Sequence, residues 1–186
     1  MLSLAYPLTD TVEIDGKEYE IDLSFDNVLR LIDMLNDEEL DDIVQIETGL
    51  YMLLGIDLDY DIEQKEKIFY EIFKSTIDNE EEKQKLDIEG NPMPNVDNKE
   101  EKVFSLKQDS DYIFASFYQD YGIDLIEMQG KMHWDKFKAL LGGLKGDTKL
   151  KEVLEIRTME LPKGKGTSKE RSRIKKLKEI YELKEE

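Results

Sequence analysis

Cysteine is absent from the 186 residues, and that one absence excludes disulfides, thiolate zinc sites, iron–sulfur clusters and a cysteine nucleophile. Histidine occurs once, as His133, so a two-histidine metal site within one chain is excluded too. No apolar run approaches the roughly 18 residues that a membrane span requires. The start, MLSLAYPLTD, lacks the basic residues that open a signal peptide. These absences lead to the expectation of a soluble, cytosolic protein. Basic residues are also scarce: 26 Lys and Arg face 44 Asp and Glu, for a net charge of −18.

What is present suffices for a core. Leu, Ile, Val and Phe make up 53 of the 186 residues, well clear of the roughly 20 % below which a charged chain stays disordered. At about 150 residues per domain, the length fits one domain, or one with a small appendage. The charge is unevenly placed. Residues 1–130 hold 10 Lys and Arg against 34 Asp and Glu, and residues 131–186 hold 16 against 10. An acidic body with a basic tail repels nucleic acid at long range, and its basic end suits an acidic partner, including a second copy of the chain. The alternative for that end is a solvated charged helix.

Hydrophobic periodicity predicts a mostly α protein with a small N-terminal β-hairpin (α+β). In VEIDGKEYEIDL, residues 12–23, apolar residues nearly alternate around Asp15-Gly16, a favoured pair for a type I′ turn. Ser24 is positioned to cap a helix carrying Phe25, Val28, Leu29, Ile32 and Leu35 on one face. A second helix carries Leu40, Ile43, Val44, Leu50, Tyr51 and Leu54 and stops at Gly55. A third, of 17 residues from about Asp61, carries Ile62, Phe69, Ile72, Phe73 and Ile77. Residues 78–102 are acidic, punctuated by Pro92 and Pro94, and poor in apolar groups. They read as a mobile linker between an N-terminal unit, 1–77, and a C-terminal helical unit, 103–186.

In the second unit, Ile113, Phe114, Phe117, Tyr118 and Tyr121 form an aromatic stripe ending at Gly122. Asp124 and Glu127 are spaced like a capping box for a short helix to Gly130. Trp134, Phe137, Leu140, Leu141 and Leu144 mark the next helix, closed by glycines. Asp147 is placed to cap another, with Leu150, Val153 and Leu154, ending before Leu161-Pro162. Thr167-Ser168-Lys169-Glu170 opens the last, with Ile174, Leu177, Ile180 and Tyr181 inward and Arg171, Lys175 and Lys178 outward.

Motifs that carry chemistry fail at their demanding positions. Asp57, Asp59 and Asp61 begin like a calcium loop, but Ile62 stands where glycine is needed and Ile68 where glutamate is needed. Gly142–Lys149 and Gly164–Ser168 look suited to phosphate, yet neither spells G-x-x-x-x-G-K-[ST] and no strand precedes either. His133, beside Trp134 at a helix start, reads as a packing or capping residue. The reading has no catalytic, cofactor-binding or metal residue, requires no cofactor, and leaves the partner-binding residues unknown.

Asp120-Tyr121-Gly122-Ile123-Asp124-Leu125, then Met132-His133-Trp134 with Phe137-Lys138-Ala139-Leu140-Leu141, resembles the phage gene-product-fifteen family. Asp147-Thr148-Lys149, Ile156-Arg157-Thr158 and Lys163-Gly164-Lys165 continue the same order. The resemblance covers 103–183 and, more loosely, 8–77. It implies a non-enzymatic tail morphogenesis factor of siphophages and prophages. Such a tail assembly chaperone coats the tape measure protein in the host cytoplasm, without nucleic acid or membrane as partner. The motif positions His133, Trp134, Phe137 and Arg157 are matched, and no catalytic residue carries over. Two other classes fit the composition. An acidic DNA mimic or host-directed inhibitor would space carboxylates like phosphates, and a magnesium enzyme would gather them in a pocket. A tail structural component is a further alternative.

Overall fold

The computed structural model describes residues 3–8, 10–78, 103–164 and 167–184. Apart from Asp78, the linker inferred at 78–102 lies outside the described residues. Among these residues there are seven α-helices and one two-stranded hairpin, the expected mostly α fold with a small N-terminal β element. The chain forms two compact units. One comprises Met1–Asp97 with Met128–Ala139, the other Asn98–Glu127 with Leu140–Glu186. The sequence boundary assigned all of 103–186 to one unit. The structure instead groups Met128–Ala139 with the N-terminal residues.

In the first unit, β1 (Thr11–Ile14) pairs antiparallel with β2 (Lys17–Glu20), Val12 opposite Tyr19 and Ile14 opposite Lys17. The turn holds Asp15 at φ 50° and Gly16 at φ 76°, the two positive dihedrals that a type I′ turn demands and Asp-Gly tolerates. An isolated hairpin is marginal in water. This one is held by its buried Ile14 and by the Tyr60 hydroxyl, which donates to Asp15 Oδ2 at 2.7 Å.

Helix α1 (Phe25–Leu35) follows Ser24, whose hydroxyl makes none of the expected capping bonds, and buries Phe25, Val28 and Leu31. Leu31 is fully buried, whereas the expected Leu29, Ile32 and Leu35 are only half-buried. Buried Asn27 donates to Asp22 O and Met52 O, tying the start of α1 to the end of α2 (Asp42–Leu54). The α2 stripe differs from its prediction. Gly49, Leu50, Leu53 and Leu54 are buried, while Ile43, Val44 and Tyr51 are exposed. Gly49 permits the close packing on this face: a Cβ there would lie 2.6 Å from the Phe69 ring and 3.2 Å from Leu31. A helix that is apolar on most sides offers more than one face, and the one carrying the glycine enters the core. Helix α3 (Ile62–Ile72) opens with a capping box between Asp61 and Gln64 and runs into a π-helical turn, Phe73–Ile77.

In the second unit, α4 (Ser110–Tyr121) ends at Gly122 in the left-handed conformation and buries Ile113, Ser116 and Phe117. Tyr118, expected inward, is exposed. Asp124 and Glu127 do not start a helix. Residues 125–131 are turns, and the Asp124 carboxylate accepts the N–H groups of Ile126 and Glu127, a local bond that competes with helix formation. Helix α5 (Trp134–Gly142) takes Trp134–Ala139 from the first unit. Helix α6 (Lys149–Thr158) follows Thr148 rather than Asp147, with no side-chain capping bond, since the Thr148 hydroxyl donates to Lys145 O, and it buries Leu150, Val153 and Ile156. Helix α7 (Ser168–Tyr181) buries Ile174 but leaves Ile180 exposed, against expectation.

Candidate functional site

The motif residues divide between the two units, and each set does structural work. In the first unit, Leu23 to Phe25 meet Met132 to Trp134 backbone to backbone. Trp134 N–H donates to Leu23 O at 2.7 Å, and Phe25 N–H donates to Met132 O at 2.9 Å. This bridge holds Phe137 in a stack with Phe25, ring centres 5.0 Å apart, and with Trp134 at 5.6 Å. Trp134 and Phe137 are both buried, so both serve as core residues.

His133 occupies the cap of α5. Its carbonyl accepts the Phe137 N–H at 3.0 Å, and its Nδ1 accepts the Asp135 N–H at 2.9 Å. That acceptor role puts the ring proton on Nε2, which faces Asp10 Oδ1 at 3.3 Å. Its imidazole therefore satisfies a helix-end donor, the capping role read from its position.

In the second unit, Arg157 is a hub. Its guanidinium grips the fully buried Asp109 carboxylate through Nη1 at 2.8 Å and Nη2 at 2.7 Å. It also donates to the carbonyls of Val103 and Tyr181. One side chain thus joins the segment before α4, α4's own start, α6 and the end of α7. Sequence reasoning noted Arg157 only as a motif position and missed Asp109. A usable signal existed: arginine is rare in this lysine-rich chain, and Arg157 stands beside Ile156 on a helix with an apolar face, where a planar fork suits a buried carboxylate.

The Asp120–Lys145 pair is built from the same unit. The Lys145 ammonium and then its backbone N–H bond the Asp120 carboxylate, and these two contacts hold that carboxyl below the usual range. The same carboxylate raises Lys145. In the first unit Lys138 bonds Asp135. Desolvation raises the Asp135 carboxyl, and the positive charges around it, Lys138 foremost, leave the group lowered.

Apolar and basic side chains both reach the surface. The exposed stripe of α2, Ile43, Val44 and Tyr51, presents apolar side chains in an acidic unit. Exposed Lys169, Arg171, Arg173, Lys175 and Lys176 line α7. Of the outward set read from the sequence, Lys178 differs by donating to Arg157 O. Asp57, Asp59 and Asp61 gather no ligand set: Asp61 caps α3 instead. Among the described residues no helix is long and apolar enough to cross a membrane.

No curated protein and no solved structure matches the chain. A family model described as Bacteriophage Gp15 protein matches residues 4–183, nearly the whole length and all of the motif positions His133, Trp134, Phe137 and Arg157. The chain therefore belongs to the bacteriophage Gp15 family and is a phage protein.

Proposed function

We propose that this phage protein is a tail assembly chaperone that binds the tape measure protein, keeps it soluble during tail assembly in the host cytoplasm, and catalyses no reaction. The observation that carries the reading is membership of the Gp15 family over residues 4–183. The apolar stripe on α2 supports it, because Ile43, Val44 and Tyr51 give an otherwise acidic surface a place to grip an apolar helical partner. Net charge −18 supports it as well, since mutual repulsion disperses complexes that would otherwise aggregate through exposed apolar surface. The basic face of α7 is assigned to contacts between neighbouring copies along the tape measure. The test is co-expression with the tape measure protein of the same phage. The reading requires that protein to move from the pellet to the soluble fraction. A tape measure protein that stays insoluble sinks it and favours a structural tail component.

A further inference from the structure

Among the described residues the outer edge of β1 is open. In an antiparallel ladder, opposed residues alternate between pairs that exchange main-chain bonds and pairs that do not. Ile14 and Lys17 close the two-residue turn as a bonded pair, Val12 and Tyr19 follow, and Ile21 N–H donates to Asp10 O at 2.8 Å. Thr11 and Glu13 therefore turn their N–H and C=O groups away from β2, and among the described residues no backbone group bonds them there.

A groove of about 730 Å³ runs beside that edge. Its strand side is Val12 to Asp15, with no residue of β2, and its opposite wall is α3 and the turn after it, including Ile68 and Ile72. Charges of both signs line it, Lys67 and Lys74 against Glu13, Asp15 and Glu71, so charge alone selects no occupant. The main-chain groups do. A helix satisfies its own backbone and would leave Thr11 and Glu13 unpaired, whereas an extended chain offers matching donors and acceptors at strand spacing.

We propose that this edge receives an extended segment of a partner protein as a third strand, bonded to Thr11 and Glu13 and lying in the groove against α3. Alternate side chains of such a strand point to the face shared by Val12 and Ile14, so the segment carries apolar residues at every second position. The inference stands apart from the chaperone reading and does not depend on which phage protein supplies the strand.

The test uses the full chain and a panel of acetylated, amidated octapeptides with Val, Ile, Leu or Phe at alternate positions and Ser or Thr between. Amide hydrogen exchange is read residue by residue. The expected result is at least one peptide that slows exchange at Thr11 and Glu13 tenfold or more, an effect abolished when that peptide is N-methylated at alternate residues. Glu13→Pro removes an outward N–H that takes no part in pairing with β2, a change an edge strand tolerates, and it is expected to weaken binding at least tenfold. If that variant fails to fold, the N-methylated peptide reads the same bond in the unaltered protein. The proposal is overturned if no peptide protects these amides, if N-methylation leaves binding unchanged, or if the protein alone protects them by dimerising at the edge.

Discussion

Arg157 and Asp109 face each other as fork and carboxylate, bonded at 2.8 and 2.7 Å, with the Asp109 side chain wholly buried. Breaking a buried pair from one side leaves an uncompensated charge, which costs about 3–5 kcal/mol. Asp109→Ala is therefore expected to lose that much stability in urea unfolding. Arg157→Lys is expected to behave as a disruptive change, since a point charge cannot reproduce the fork or reach the Val103 and Tyr181 carbonyls together. The joint replacement Asp109→Leu with Arg157→Met is expected to cost less than the sum of the two single losses. Additive losses in that double-mutant cycle would show that the two side chains are not coupled.

Trp134 anchors the first unit through its stack on Phe137 and its backbone bond to Leu23. Trp134→Ala is expected to cost about 3–5 kcal/mol, measured as a lowered melting temperature. A folded variant with an unchanged melting temperature would remove Trp134 from the core and make it a partner contact.

At Gly49 the limit is space. With Phe69 at 2.6 Å and Leu31 at 3.2 Å from a built Cβ, Gly49→Val forces the packing of α2 against α1 and α3 apart. The expected cost is about 1–3 kcal/mol, the usual penalty of overpacking. Thermal unfolding at or above the parent's temperature would show that the Phe69 ring yields freely.

The pH prediction concerns Asp120, whose carboxyl is held low mainly by the Lys145 ammonium. A carboxyl with a folded pKa below its unfolded one adds stability that is present above the unfolded pKa and is lost as pH falls through the folded one. Asp120→Asn is therefore expected to be less stable than the parent at pH 7, with the gap closing as the pH falls below the ordinary carboxylate range. Parallel denaturant titrations at pH 7 and pH 3 check it. A gap of equal size at both values would mean that the Asp120 charge contributes nothing.

Local chemistry made much of this fold legible. Asp15-Gly16 set the hairpin, Gly55 and Gly122 ended α2 and α4 in the left-handed conformation, and the helical stripe from about Asp61 became α3. What escaped the sequence depends on distant residues. The buried face of α2 is the one on which Phe69 meets Gly49, and no pattern within α2 records that meeting. The union of Met128–Ala139 with the first unit depends on Leu23 and Phe25, more than 100 residues earlier. Asp124 misled because one carboxylate suits a helix cap and a turn equally. The candidate site was legible only in part. The outward cations of α7 followed from charge periodicity, but the exposed α2 stripe looked like core, since an exposed and a buried apolar residue are the same letter.

The central claim, that this phage protein coats the tape measure protein, is tested most directly by the mass of the complex the two form. Affinity-tagged tape measure protein is co-expressed with the full chain, and the purified complex is weighed by light scattering. Coating requires a soluble complex with several copies of this chain per tape measure protein. Val44→Lys with Tyr51→Lys, both exposed on α2, is expected to abolish the complex while leaving the chain folded. A tape measure protein that purifies without this chain, or that carries the double variant as well as the parent, would contradict the account.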